Sequence, residues 1–457
     1  MLKKDVIFVM DNLLPKIIFN NPEHMKKIRP VSYLPIVFYS CIWMFFLCHP
    51  GTAHAQFAKG ADVGWLSQME ATGFKFYDST GTEKNCLQIL KDHGINTIRL
   101  RVFVNPSSDK TSGHCSKDEV VAMAVRAKEM GMLVMIDFHY SDSWADPAKQ
   151  NKPAAWASHS FSQLLTDVYD HTLDVVSACK SAGVTPEWVQ IGNEIIGGML
   201  WPDGSTSNWG QLAQLLNKGY DAVKAIDTTI KVIVHIDQGN DNGRCRYFYD
   251  NAKNNNVKYD VIGLSYYPYW LGTDYTVTID NLGSNLLDMV SRYGKEVMVV
   301  EVGGDYTKVK NTYDMLVAVI NKVHAVPGNK GLGVIYWEPE GAKSWSGYQL
   351  SCWDNNGKPT AALKAFLTGS SGIHSIEGNS RLKIYPNPST GGFLNIELGD
   401  LSVSSIISIF DVNGRLLREQ QVNDQPKASF DLHFSPGMYL VSVNSGQRNT
   451  SGRFLVN

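Results

Sequence analysis

From Phe57 to about Leu367, short apolar runs rich in β-branched residues alternate with longer stretches whose apolar residues recur at helical spacing. The first pattern predicts buried strands and the second amphipathic helices. The strands fall at Ala58–Val63, Ile95–Val104, Leu133–Tyr140, Glu187–Glu194, Lys231–Asp237, Asp260–Tyr267, Glu296–Val302 and Gly333–Glu338. Helical patterns lie between them, as in Lys117–Met130 and Phe161–Ser181. Gly94, Gly131 and Gly183 stand just before strands, where a helix C-terminus needs a left-handed residue. Strand and helix alternating through eight rounds predict an α/β fold, a (β/α)8 TIM barrel over residues 56–367. A doubly wound sheet is the alternative, but no Gly-x-Gly-x-x-Gly follows the first strand.

After Leu367 the pattern changes. Residues 368–380 open with Thr-Gly-Ser-Ser-Gly and read as a linker. Residues 381–457 alternate apolar and polar positions, broken at Asn413-Gly414 and Pro436-Gly437, and predict a small all-β sandwich domain. At the other end, Met25-Lys26-Lys27-Ile28-Arg29, the apolar run from Tyr33 to Cys48 and Ala53-His54-Ala55 give the three parts of a signal peptide. Residues 1–55 are thus expected to be a leader with upstream residues, and translation is expected to start at Met25. Cys48 lacks the preceding small residue of a lipoprotein signal.

The composition, 44% hydrophobic with a net charge of -2, suits a chain that buries a large core. Without a Lys/Arg block, nucleic acid is not an expected partner. Eleven Trp and twenty Tyr suit a surface that stacks on sugar rings. Past the leader five cysteines remain. Export permits disulfides, and Cys86 with Cys115 is the first pair to expect, since both flank the second strand. Cys179 lies on an apolar helical face and reads as a buried free thiol. No Cys-x-x-Cys or His cluster suggests zinc.

Candidate chemistry gathers at strand ends. The fourth strand stops at Asn193-Glu194 and the seventh at Glu301. In a parallel barrel both tips reach the C-terminal rim, where active sites form. Alternate positions point the same way, so Arg99 with Arg101, Asp137 with His139, and His235 with Asp237 can aim polar groups at the mouth. Two carboxyl groups, one protonated and one ionised, are what glycosidic cleavage needs. Arg99 is the candidate cation that keeps Glu301 ionised. Asn193 can bond a sugar 2-hydroxyl. His139 and His235 fit hydrogen bonding or orientation better than metal ligation, since no His-x-His occurs. Of the tryptophans in loops or at strand ends, Trp337 is the best placed to cover a sugar face.

The runs Ile98–Pro106, Asp137–Pro147, Ile191-Gly192-Asn193-Glu194-Ile195 with Leu200-Trp201-Pro202, Ser265-Tyr266-Tyr267-Pro268 and Tyr336-Trp337-Glu338-Pro339 resemble glycoside hydrolase family 53. The resemblance covers roughly residues 57–367 and implies an endo-β-1,4-galactanase that cuts the galactan of type I arabinogalactan and pectin side chains. It implies Glu194 as acid/base and Glu301 as nucleophile, with retention through a covalent galactosyl-enzyme and carboxyl groups about 5–5.5 Å apart. It aligns Arg99 with the arginine that contacts the nucleophile. Asn193, His139, Tyr267 and Trp337 align with residues around the scissile sugar, and Asp142, Trp144, Trp201 and His235 complete the expected substrate-binding set.

Two departures stand out. Glu301-Val302-Gly303 replaces the family's Glu-Thr, and the loop that follows is short and has no cysteine to meet Cys352. No metal and no cofactor is therefore expected. The C-terminal Tyr385-Pro386-Asn387-Pro388, Asp411–Arg415 and Gly437-Met438-Tyr439-Leu440 resemble a type IX secretion sorting domain; a carbohydrate-binding sandwich is the alternative. Together these readings predict a secreted or cell-surface monomer whose partners are a polysaccharide and the type IX machinery. The competing functions are another retaining endo-β-glycanase, acting on mannan or glucan, and a glycan-binding protein with a dead site.

Overall fold

The computed structural model describes residues 56–111, 114–368, 382–389, 392–398, 404–411, 415–444 and 449–457. The predicted leader, most of the linker and the Asn413-Gly414 turn lie outside the described residues. The chain divides into two units, one ending at Thr368 and the other beginning at Gly369.

In the first unit eight parallel strands close into a barrel. They are β1 (Ala58–Asp62), β2 (Thr97–Val102), β3 (Leu133–Phe138), β4 (Trp188–Ile191), β5 (Lys231–Ile236), β6 (Val261–Tyr266), β7 (Glu296–Val302) and β8 (Gly331–Trp337). Each pairs with the next, and β8 returns to β1. The intervening helices start where side chains satisfy their first amides. Ser116 with Glu119 and Ser160 with Gln163 form capping boxes for Lys117–Glu129 and Phe161–Ser181. Gly94, Gly131 and Gly183 adopt φ of 88°, 72° and 84°, as their positions before strands require.

Several predicted strands run past the observed ends, and the reason is shared. Tyr140, Glu194, Gln238 and Glu338 follow β3, β4, β5 and β8, and all have positive φ near 50°. A left-handed non-glycine residue ends the pleat and is costly unless its surroundings hold it. Four of them at one rim mark the face where the chain turns to present side chains.

The barrel interior is layered. Ala58, Met135, Trp188, Ile233, Val261, Met298, Val300, Leu332 and Ile335 form an apolar inner cluster. Two residues further along three strands the inward positions become polar: Asp137 after Met135, Gln190 after Trp188, and His235 after Ile233. On β7 plain alternation would turn Glu301 outward, since Met298 and Val300 already face in. A register irregularity prevents this: Leu264 pairs with Val299, yet the next residue, Ser265, pairs with Glu301. Val300 is the extra residue, and the bulge rotates Glu301 into the barrel.

The five remaining cysteines are buried and free. The expected Cys86–Cys115 disulfide is therefore not formed. Cys86 opens the helix Cys86–Asp92, whereas the Cys115 thiol donates to the Gly64 carbonyl at 3.3 Å. Cys179 is the buried free thiol that its apolar face suggested.

The second unit contains a three-stranded and a four-stranded antiparallel sheet. In the first, β10 (Gly392–Glu397) pairs with β9 (Lys383–Tyr385) and β13 (Lys427–Leu432). In the second, β11 (Ser405–Asp411) and β14 (Gly437–Asn444) lie between β12 (Leu416–Val422) and β15 (Asn449–Val456). Leu394, Ile396, Ile407, Ile409, Phe430, Val441 and Phe454 form a core shared by the sheets, giving a sandwich.

Candidate active site

At the C-terminal end of the barrel a cavity of about 340 Å³ is lined from several loops. Glu194 and Glu301 both line it. The two acids come from strands far apart in the chain and meet at one opening.

Beneath them Arg99 is fully buried and faces three carboxylates. Its Nη1 lies 2.8 Å from Asp62 Oδ2, and its Nη2 lies 2.8 Å from Asp137 Oδ2 and 2.9 Å from Glu301 Oε1. The same Nη2 donates to Gln190 Oε1 and to Asn193 Oδ1, each at 3.0 Å. One guanidinium thus fixes the Glu301 carboxylate and the amide beside Glu194. Burial raises the Glu301 carboxyl to about 7; Arg99 opposes this, and Asp137 and Asp62 add to it.

Glu194 has no such cation. Burial raises its carboxyl well above the ordinary value, and the charge of Glu301 adds to the rise. Arg99 favours the charged form of Glu301, and among the described residues no cation does the same for Glu194. The Ser265 hydroxyl donates to Glu194 Oε1 at 2.7 Å, and the Tyr267 hydroxyl donates to Glu301 Oε2 at 3.3 Å.

His139 lines the cavity, with Nδ1 accepting from the Ala145 amide at 3.0 Å and Nε2 lying 3.2 Å from Asp137 Oδ2. The amide bond fixes its tautomer, so Nε2 carries the proton. Asn193 Nδ2 donates to the Ala145 carbonyl at 3.0 Å. His235 is buried behind the acids and reaches Ser265. Trp144 and Trp337 line the cavity edge to face, with ring centroids 5.6 Å apart. The Arg101 guanidinium sits over Trp144 at 4.3 Å.

Asp142 and Trp201 do not line the cavity. Asp142 accepts from the Asn105 and Ala154 amides and ties two loops together. Trp201 donates from its indole to the Gly197 carbonyl at 2.8 Å. Asp62, Gln190 and Ser265 among the buried polar groups, and Asp146, Lys149 and Tyr348 in the lining, are site residues not expected from the sequence. Strand alternation could have found Gln190, two positions after Trp188. Nothing in the local sequence marks Tyr348.

A closed parallel barrel with two acids at its C-terminal rim, one held by an arginine and one without a cation, is the arrangement of a glycosidase. Residues 58–366 match the family described as glycosyl hydrolase family 53, and the chain belongs to that family. Among curated relatives it is 35% identical to an endo-beta-1,4-galactanase of Bacillus subtilis, over 62% of this chain and 70% of that protein. It is 34% identical to a probable arabinogalactan endo-beta-1,4-galactanase A of Aspergillus terreus, over 65% and 89%. The family 53 catalytic domain of Ignisphaera aggregans superposes with a TM-score of 0.63 at 32% identity, covering 69% of this chain and 97% of that one. Residues 383–457 match the secretion system C-terminal sorting domain, so the β-sandwich is an export tag of the type IX kind.

Proposed function

We propose that this chain is a secreted, retaining endo-β-1,4-galactanase acting on the galactan of type I arabinogalactan and pectin side chains. The observation that carries it is the unequal pair at one cavity: Glu301 held by Arg99, and Glu194 with no cation. Glu194 gives its proton to the glycosidic oxygen while the Glu301 carboxylate attacks the anomeric carbon. An ester joins the sugar to Glu301 and the leaving chain departs. Glu194, now ionised, takes a proton from water, whose oxygen displaces Glu301. Two inversions give net retention.

The neighbours fit these steps. Asn193 is held through both ends of its amide by Arg99 and Ala145, which leaves one Nδ2 hydrogen for the sugar 2-hydroxyl. Tyr267 steadies the nucleophile, and His139, Trp144 and Trp337 wall the sugar nearest the cut. Asp142 and Trp201 support the loops that carry these groups. A monomer is the proposed working unit, since residues of one chain supply both acids and their neighbours. The relatives' named activity supports galactan over mannan or glucan.

Reducing-sugar release from potato galactan, compared with mannan, xylan and cellulose, tests the proposal. Release from galactan at least tenfold above the others is expected. Cleavage of mannan or cellulose in its place would assign the alternative substrate, and no cleavage at all would favour a binding protein.

A further inference from the structure

Glu194 is joined to His235 and Ser265 in a closed circuit. The Glu194 amide lies 3.3 Å from His235 Nδ1, His235 Nε2 lies 2.8 Å from Ser265 Oγ, and Ser265 Oγ lies 2.7 Å from Glu194 Oε1. His235 Nδ1 is also 3.0 Å from Asn193 Oδ1. Nδ1 therefore faces one donor and one acceptor. A neutral imidazole satisfies only one of them in each tautomer.

The two tautomers match the two charge states that catalysis demands of Glu194. With the proton on Nε2, His235 donates to Ser265, Ser265 donates to an ionised Glu194, and Nδ1 accepts from the Glu194 amide. With the proton on Nδ1, His235 donates to Asn193 Oδ1, Ser265 donates to Nε2, and Ser265 accepts from a protonated Glu194. The first arrangement gives every donor of the circuit an acceptor, whereas the second satisfies Asn193 Oδ1 and leaves the Glu194 amide facing Nδ1–H. With Nε2–H and a proton on Glu194 Oε1, the serine accepts twice and its own hydrogen has no acceptor; with Nδ1–H and an ionised Oε1, two lone pairs compete for that one hydrogen. Both histidine and serine are buried, so water does not relieve the mismatch.

We propose that Ser265 and His235 are positioning residues that couple the His235 tautomer to the charge of Glu194, stabilising the ionised form needed after glycosyl transfer. The change between the arrangements removes one proton, from Glu194, and moves one between the nitrogens of the same ring. Burial and the Arg99 charge keep that ring neutral. Other charged or titratable groups around Glu194 are Glu301 from β7, Asp237 after β5 with its partner Arg244, and Asp146 with Lys149 after β3. Tyr267 and Tyr348 stay protonated, since burial pushes both hydroxyls up.

The inference rests on Glu194 being the acid/base, and its test separates the two. Nitrogen NMR of the full chain labelled in histidine reads the His235 tautomer across pH, and the pH profile of kcat/KM on a soluble β-1,4-galacto-oligosaccharide reads Glu194. The Nδ1-protonated tautomer is expected below the alkaline limb and the Nε2-protonated one above it. Ser265→Ala should abolish that switch and move the alkaline limb upward by about one pH unit, because a charge-assisted hydrogen bond to the carboxylate is lost. One tautomer throughout in the wild type, or an alkaline limb unmoved in Ser265→Ala, would overturn the coupling. A chain that cuts no galactan yet switches tautomer would retain the coupling and lose only the substrate assignment.

Discussion

Arg99 Nη2 lies 2.9 Å from Glu301 Oε1, and Arg99 pairs with Glu301 rather than with Glu194. That asymmetry makes two chemically identical side chains unlike. Replacing Arg99 by Lys keeps a charge but loses the fork that spans Asp62, Asp137 and Glu301. Activity on galactan should fall by about 10²–10³-fold, in line with losing an electrostatic anchor of a reacting group. The acid limb of the pH profile should rise as well, because Asp137 and Asp62 then repel Glu301 with less opposition. A loss confined to KM would contradict this.

The profile of kcat/KM should be bell-shaped. On the proposed roles, the active form carries an ionised Glu301 and a protonated Glu194. Glu301 is raised from the ordinary 4.5 to about 7, so activity is lost as pH falls through a limb well above 4.5. Glu194 is raised well above its ordinary value by burial and by the Glu301 charge and lacks the Arg99 contact, so it gives the second limb, through which activity is lost again as pH climbs. An acid limb at or below 4.5 would refute the account of the buried pair.

Glu194→Ala and Glu301→Ala should differ by substrate. Losing the acid costs about 10²–10⁴-fold on galactan, yet less on an aryl galactoside whose leaving group needs no proton. Losing the nucleophile should abolish activity on both substrates. Assays of the two variants side by side check the roles, and equal losses on both substrates would reverse or erase them.

Behind the site, Glu338 and Glu340 are fully buried at the end of β8, with Arg101 bonded to Glu338. Burial raises Glu338 to about 7, and burial with the Glu338 charge raises Glu340 well above its ordinary value. The folded chain holds these protons after the unfolded chain has released them near 4.5. Their stabilisation is therefore full below that pH and is lost as pH rises, for Glu338 through about 7 and for Glu340 through a range well above its ordinary value. Glu340→Gln removes one of these titrations. Its melting temperature should fall less than the wild type's between pH 4.5 and 8; parallel curves would count against the pair.

Much of this site was legible because chemistry and periodicity coincide in it. Glu194 and Glu301 stand at the ends of apolar strands, and Arg99 and His139 follow the inward alternation of β2 and β3. Asp62 was hidden because its strand, Ala58–Asp62, is short and carries Lys59 and Gly60. Alternation alone would have turned Glu301 away from the barrel. Only the bulge at Val300, a relation between β6 and β7, brings it inward, and pairing registers are not written locally. The cysteine expectation failed for a similar reason. Flanking the same strand does not bring two thiols together, and Cys115 spends its hydrogen on the Gly64 carbonyl.

Retention through a double displacement requires Glu301 to form a bond to the sugar. Incubation with a 2-deoxy-2-fluoro galacto-oligosaccharide carrying a good leaving group should trap that ester, and mass mapping of the digested protein should place the adduct on the peptide containing Glu301. An adduct on Glu194, or a product of inverted configuration with no adduct, would contradict the account.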